Sequence, residues 1–408
     1  MAGSGFLSYF PADLMVPLNK CFHMNLHEER SSRFVISAQY FIYFGVLGIY
    51  LPYFNLYCYH LGFSGFQIGG LSAVRSVVLV LFPLIWGALA DRLEIRRPIY
   101  IVCNVVSTFI WVFYLFTVEF WPILIITIIY GMFYAPIISF LEALTMDVLG
   151  QEKKSYGRIR AWGSISFIVM VLVLGKVIDW YSVDIILILI LAGSLMLTAI
   201  SFRIPAVTAP KKDLFARKAS SLLRKRAVVF LFCAFLMLVS HGAYYGFFSI
   251  HLENLGYDST FIGITWALAS TAEILVMITS KKIFSRFSLE NVLVFSFLVA
   301  ALRWLILFVA NSAFIILLSQ ALHAVTYGTF HMASILYIDR LAPEKTKTLG
   351  QAVNNALTYG LGLMVGFLIN GYLYEITGSF ALFLMSSIVA LVGGLLFQGY
   401  QLAIRRKS

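Results

Sequence analysis

The positive charges of this chain are confined to alternate gaps between long apolar runs, and no other feature restricts its fold so tightly. All but four of its 30 Lys and Arg lie at the chain ends or in these gaps. One gap holds Arg92, Arg96 and Arg97, and the next holds Lys153, Lys154 and Arg158. A longer one, Arg203 to Arg226, holds eight. Lys281, Lys282 and Arg286 follow, then Arg340, Lys345 and Lys347; Lys20, Arg30, Arg33, Arg405, Arg406 and Lys407 mark the ends. The intervening gaps near residues 60, 119, 255, 312 and 376 hold none, and Lys176 falls near an outer end. Loops kept on the cytoplasmic side of a bilayer collect Lys and Arg. The alternation therefore predicts a multi-pass membrane protein with both termini in the cytoplasm; a bacterial-type inner membrane is the expected location. Arg75, Arg160 and Arg303 fall inside apolar segments instead, where an ionised side chain is costly and is kept beside a partner or for a task.

Composition removes other classes. The chain is 61% hydrophobic and 12% charged, about half the charge of a soluble protein. The net charge of +11 suits a nucleic acid by magnitude, but its one-sided placement matches an anionic inner leaflet, so no nucleic-acid partner is expected. Cys21, Cys58, Cys103 and Cys233 lack metal-ligand spacing, and three of them sit in apolar runs as small core residues. There is no Walker A loop, nucleotide fingerprint or HExxH, so the expectation is a non-enzyme with no cofactor and no metal.

A spanning helix needs about 20 mostly apolar residues. Twelve segments qualify: 34–58, 66–89, 98–117, 121–146, 158–178, 183–203, 227–252, 261–281, 290–310, 313–338, 348–373 and 378–402. Residues 1–33 form a cytoplasmic N-terminal segment whose first ten residues are too short to span; Met24 is a second candidate start. The central loop 204–226 divides six helices (34–203) from six (227–402), and 403–408 is a cytoplasmic tail. The halves repeat. Leu61-Gly62, Ile68-Gly69 and Ala73 match Leu255-Gly256, Ile262-Gly263 and Ala267 at an offset of 194, and Tyr130-Gly131 and Glu142 match Tyr327-Gly328 and Asp339 at 197. The expected fold is an all-α membrane protein of two pseudo-symmetric six-helix bundles, a monomer, with an alternating-access site between them near the midplane.

The intramembrane charges are the candidate site. Glu142 lies eight residues before Gly150 and Arg160 ten after it, so a hairpin turning there brings both to similar depth. Such a pair either clamps substrate or fixes helix 4 against helix 5. Glu273 shares a face with Trp266 and Ser270, which suits a site that loads and releases a proton; the alternative is a permanent ion pair with Arg303. His323, Tyr327 and His331 recur every four residues as a polar stripe able to relay a proton. Gln351, Asn354, Asn355 and Thr358 give the next helix a polar side, for the cavity or for helix–helix bonding. Arg75, with Ser72 near its face, favours a carboxylate held by two parallel hydrogen bonds if it faces the cavity; the alternative is a packing arginine bonded to backbone carbonyls. Tyr50, Tyr244, Trp162 and Trp266 are candidate substrate contacts, and Tyr43, Tyr53 and Tyr245 add stacking surface. Asp91, Arg92 and Arg97 form a candidate cytoplasmic latch that stabilises the outward-open state; the alternative is a purely topogenic role.

Gly87-Ala-Leu89-Ala90-Asp91-Arg92 followed by Arg96-Arg97 resembles the loop between helices 2 and 3 of the major facilitator superfamily, with Glu94-Ile95 in place of its glycine region. Tyr156-Gly157-Arg158-Ile159-Arg160-Ala161-Trp162-Gly163-Ser164, His241-Gly-Ala-Tyr244-Tyr245-Gly246-Phe247, Ala272-Glu273, Arg303-Trp304, His323 and His331, with Arg75, resemble the 3-phenylpropionate transporter family. A more distant similarity reaches lactose permease and the oligosaccharide:proton symporters. That similarity implies a sugar-holding pair at Glu142 and Arg160; Thr326 stands where lactose permease has its coupling glutamate, so the proton role passes to Glu273, His323, Arg303 and His331. The resulting expectation is a proton-coupled importer of a small organic solute, an arylpropionate, another aromatic acid or a sugar. An efflux antiporter uses the same fold and charges in reverse. A sensor or scaffold would require a signalling domain or a large soluble loop.

Overall fold

A computed structural model describes residues 26–150, 152–205, 225–343 and 346–406. Residues 1–25 (with Cys21 and Met24), most of the central loop, Lys345 and Lys407 lie outside the described residues. The first half contains α1 (Leu26–His60), α2 (Gly65–Leu93), α3 (Arg96–Trp111), α4 (Phe120–Leu149), α5 (Tyr156–Trp180) and α6 (Ile185–Ser201). The second contains α7 (Lys225–Ser240), α8 (Gly242–Asn254), α9 (Ser259–Arg286), α10 (Leu289–Val309), α11 (Ala313–Ala321), α12 (Phe330–Leu341), α13 (Lys347–Asn355) and α14 (Leu363–Arg405). No strand occurs among the described residues.

Local chemistry sets the ends. Ser64 and Gln67 form a reciprocal cap at the start of α2, Asp258 caps α9 and Ser288 caps α10. Each satisfies N–H groups that a helix start leaves free. Glu94 ends α2 in the left-handed region at φ 57°, a conformation glycine adopts without the penalty of about 1–2 kcal/mol paid by a side chain. That is where the sequence departs from the glycine-bearing loop it resembles.

Among the described residues, ten helical stretches are long and apolar enough to cross a membrane, and Ile185–Ser201 is a shorter apolar helix. The last stretch, Lys347–Arg405, has 59 residues, far more than the roughly 20 that cross a bilayer core. It is broken at Gly378, whose φ 72° and ψ −173° are non-helical and belong to a region reserved for glycine. Several expected spans differ in detail. The seventh is interrupted at His241 between α7 and α8. The tenth and eleventh each contain a π-helical turn, Ala324–Thr329 and Ala356–Gly362. Such turns re-aim side chains at functional sites.

Within the first half, α1 packs on α5 and α6, α3 on α4 and α6, and α2 on α4; within the second, α14 packs on α10, α7 and α8. The halves meet along α2–α14, α5–α9 and α1–α8. These seams are closest at the arginine-poor end. A Cβ added to Gly69 would lie 2.5 Å from Phe367 O, and one added to Gly263 would collide with Val171 O. Tyr53 donates from its hydroxyl to Val171 O and Ser259 O, and His60 Nε2 lies 2.8 Å from Glu253. At the arginine-rich end, the ion pairs Arg33–Glu152, Arg96–Asp147, Arg340–Glu290 and Lys347–Asp339 each join residues of one half.

Candidate functional site

Between the seams lies a cavity of about 640 Å³, a size that encloses a small organic molecule. Its walls carry Arg75, Glu142, Tyr156 and Arg160 from the first half and Tyr244, Trp266, Ser270, Glu273, His323 and Tyr327 from the second. The Glu142 and Arg160 side chains on the first-half wall are 46% and 33% exposed.

On the first-half wall the chain turns after α4 at Gly150 (φ 49°), and this hairpin sets Glu142 Oε1 3.9 Å from Arg160 Nε. The Tyr156 hydroxyl also donates to Glu142, at 3.4 Å. The Arg160 guanidinium lies 4.1 Å over the Phe44 ring, a contact that supports a cation as its water is stripped. Arg75 lines the same wall, 5.1 Å over the ring of Tyr50. No carboxylate among the described residues pairs with it. Ser72 does not join Arg75: it is buried and bonded to Asn55, whose amide also donates to Gly246 O of the opposite half.

On the second-half wall Glu273 stands one turn from Ser270 and two from Trp266, and all three face the cavity. The alternative of an ion pair between Glu273 and Arg303 is not what forms. Arg303 is fully buried, donating to Ser319 O, Gln320 Oε1, Thr326 Oγ1 and His323 Nδ1. The rings of Tyr244 and Trp304 lie 4.3 and 4.6 Å from its guanidinium. His323 stands between it and Glu273. Arg303 Nη1 is 2.8 Å from His323 Nδ1. A guanidinium can only donate, so Nδ1 accepts and the ring hydrogen sits on Nε2. That nitrogen points at Glu273 Oε2, 4.0 Å away. The arginine thus selects the histidine tautomer that presents a donor to the carboxylate.

The His323, Tyr327 and His331 stripe forms a parallel stack, with centroid separations of 5.2 and 6.0 Å. His331 lies behind the wall, bonded to the Tyr359 hydroxyl at 2.6 Å, and it is Tyr359 that reaches the cavity. Gln351 bonds to Ile335 O and Thr358 to Asn354 O, both helix contacts. Other expected site residues lie elsewhere. Trp162 is half exposed and packs on Phe41 away from the cavity. Tyr50 is buried beneath Arg75 and does not line it. Asp91 pairs with Arg96, Arg97 donates to Ile204 O and Phe202 O, and Arg92 is exposed. Gln320, which bridges Arg303 and the Tyr244 hydroxyl, had a readable signal: it precedes His323 by three residues, the spacing of one helix face. Among the described residues no cluster of three metal-ligating side chains occurs.

Comparison with known proteins agrees with this architecture. The chain is 26% identical over 367 residues to the "Probable 3-phenylpropionic acid transporter" of Escherichia coli (strain K12), covering 87% of this chain and 94% of that protein. It is 24% identical over 360 residues to the maltose permease of Geobacillus stearothermophilus, covering 87% and 91%. The crystal structure of nucleoside transporter NupG superposes with a TM-score of 0.81 at 18% identity, over 90% of this chain and 98% of that one. The MFS_1 like family matches residues 34–385. With several apolar helices around a solute-sized cavity, the chain belongs to that family of major facilitator transporters and is a multi-pass membrane transporter of small molecules.

Proposed function

We propose that the protein is a proton-coupled symporter of a small organic acid, working by alternating access in an inner membrane. Read with the turn at Gly378, the helical stretches make twelve crossings in two six-helix bundles, 34–203 and 227–402. The arginine-rich loops and both termini then face the cytoplasm, and the present conformation is inward-open. The protein would act as a monomer, with substrate, proton and bilayer as its partners.

The observation that carries the reading is the charge balance of the cavity wall. Two arginines, Arg75 and Arg160, face two carboxylates, Glu142 and Glu273. Ionised and empty, the wall is neutral. Protonating Glu273 leaves one positive charge in excess, and a bound monocarboxylate on Arg75 cancels it. The cavity lining is therefore neutral both empty and doubly loaded, whereas proton or anion alone leaves it charged; Arg303, buried behind His323, adds the same charge to every state. Closing the halves around a net charge is opposed by the low dielectric of the bilayer, so proton and anion cross together.

Each residue has a part in this cycle. Glu273 carries the proton, and His323 presents Nε2–H to its ionised form. Arg303 and Gln320 hold His323 and Tyr244 in place. Arg75 receives the carboxylate, while Glu142 and Arg160 hold the polar part of the solute. Trp266 and Tyr244 offer aromatic faces. Asp91, Arg92 and Arg97 would serve the closed cytoplasmic end in the outward-open state. The relatives' names supply two probes. In de-energised right-side-out vesicles, 3-phenylpropionate should alkalinise the medium and maltose should not. Acidification would reverse the assignment to antiport, and a response to maltose alone would remove the anion site.

A further inference from the structure

Two carboxylates at the arginine-poor end join the halves by one repeated geometry. Asp179, in the last turn of α5, accepts the Ser259 N–H at 2.8 Å, the Thr260 N–H at 3.0 Å and the Thr260 hydroxyl. Glu375, just before the break at Gly378, accepts the Phe66 N–H at 2.9 Å. Ser259 and Thr260 open α9, and Phe66 is the second residue of α2. Each of these helices has its own cap, Asp258 on the Phe261 N–H and Ser64 on the Gln67 N–H. A helix start leaves four N–H groups free, so the carboxylate from the opposite half satisfies donors that the local cap does not reach. A negative charge there is favoured by the helix dipole as well.

The two contacts are copies of each other. Phe66 and Thr260 are 194 positions apart, the offset at which Gly69 matches Gly263. Asp179 and Glu375 are 196 apart, as are Val171 and Phe367, whose carbonyls receive those glycines. Gly175 against Ser259 O and Gly371 against Gly65 O repeat the same pairing one turn nearer the rim. The internal duplication has thus placed one capping carboxylate and one close backbone approach on each side of the pseudo-two-fold axis.

We infer that Asp179 and Glu375 are paired gate latches: each caps the first turn of a helix in the opposite half, holds the outer end shut, and must let go before the cavity opens outward. This rests on the alternating-access reading, and the test separates the two. The probe is a membrane-impermeant maleimide applied to right-side-out vesicles without substrate. The reporter is Ser270→Cys on the cavity wall, in a background with the four native cysteines replaced by serine. Asp179→Ala and Glu375→Ala should each raise outside labelling about 5-fold, the effect of losing one helix cap, and together about 25-fold, because the sites are independent. Asp179→Asn keeps an acceptor oxygen and should fall between parent and alanine, which also covers the case in which Asp179→Ala fails to fold. Glu119→Ala removes a rim carboxylate that makes no capping hydrogen bond and should change nothing. Gly263→Ala, a steric wedge in the same seam, should raise labelling by itself. Cap variants that label like the parent while Gly263→Ala labels strongly would overturn the latch and leave alternating access standing. Failure of every variant, the wedge included, would overturn both.

Discussion

Gly69→Ala, compared with Gly70→Ala next to it, tests the closed seam at the arginine-poor end at the scale of one methyl group. A Cβ on Gly69 would stand 2.5 Å from Phe367 O, 2.9 Å from Gly371 Cα and 3.3 Å from Gly371 N, all of them backbone atoms. A Cβ on Gly70 would meet nothing within 4 Å. Helix propensity favours both substitutions by about 1 kcal/mol, so it cancels in the comparison between them. The difference is therefore steric. Overpacking a close contact costs about 1–3 kcal/mol, which falls on the conformation with the outer end shut. A bias of that size moves a two-state equilibrium by about 5- to 150-fold. Spin labels at Val118 and Ser312, on the rims of the two halves, read the opening as a distance by double electron–electron resonance. Gly69→Ala should shift the distribution to longer distances and Gly70→Ala should match the parent. Identical distributions for both variants would refute the claim that this seam controls the outer gate.

Arg303→Met should destabilise the protein by about 1–3 kcal/mol for each buried acceptor left without its donor, among Ser319 O, Gln320 Oε1 and His323 Nδ1, and should appear as a fall in melting temperature; an unchanged melting curve would remove Arg303 from its structural part. Arg75→Lys keeps the charge but loses the bidentate fork, so the apparent affinity for 3-phenylpropionate should fall about tenfold while the maximal rate holds; equal affinity would place the carboxylate elsewhere. Trp162→Ala should leave uptake within about twofold, since surface positions away from such features tolerate change, whereas Trp266→Ala should lower it about tenfold or more through loss of an aromatic face; the reverse ranking would relocate the binding surface.

What could be read from the sequence depended on local spacing. The charge alternation, the Gly150 hairpin that pairs Glu142 with Arg160, and the shared face of Trp266, Ser270 and Glu273 all follow from a few residues of separation. Trp162, Tyr50 and the partner of Arg303 could not be placed that way. Helices that are apolar all round give no sign of how they are rotated about their axes, and that rotation decides whether a side chain meets lipid, core or cavity. The π-helical turns at Ala324–Thr329 and Ala356–Gly362 shift that rotation midway along two of the helices that build the wall. The outer seam was half visible: Gly69 and Gly263 lay within the matched repeat, but Asp179 and Glu375 repeat at a different offset, and only packing shows that they face those helices.

The central claim is that Glu273 binds the transported proton, and Glu273→Gln, a permanent neutral mimic of the protonated carboxyl, addresses it directly. In vesicles loaded with 3-phenylpropionate, the variant should still exchange internal for external label, because the neutral wall can close around the bound anion. Under an imposed proton gradient it should accumulate nothing above equilibrium. Uphill accumulation at the parental rate would show that the proton travels on another group.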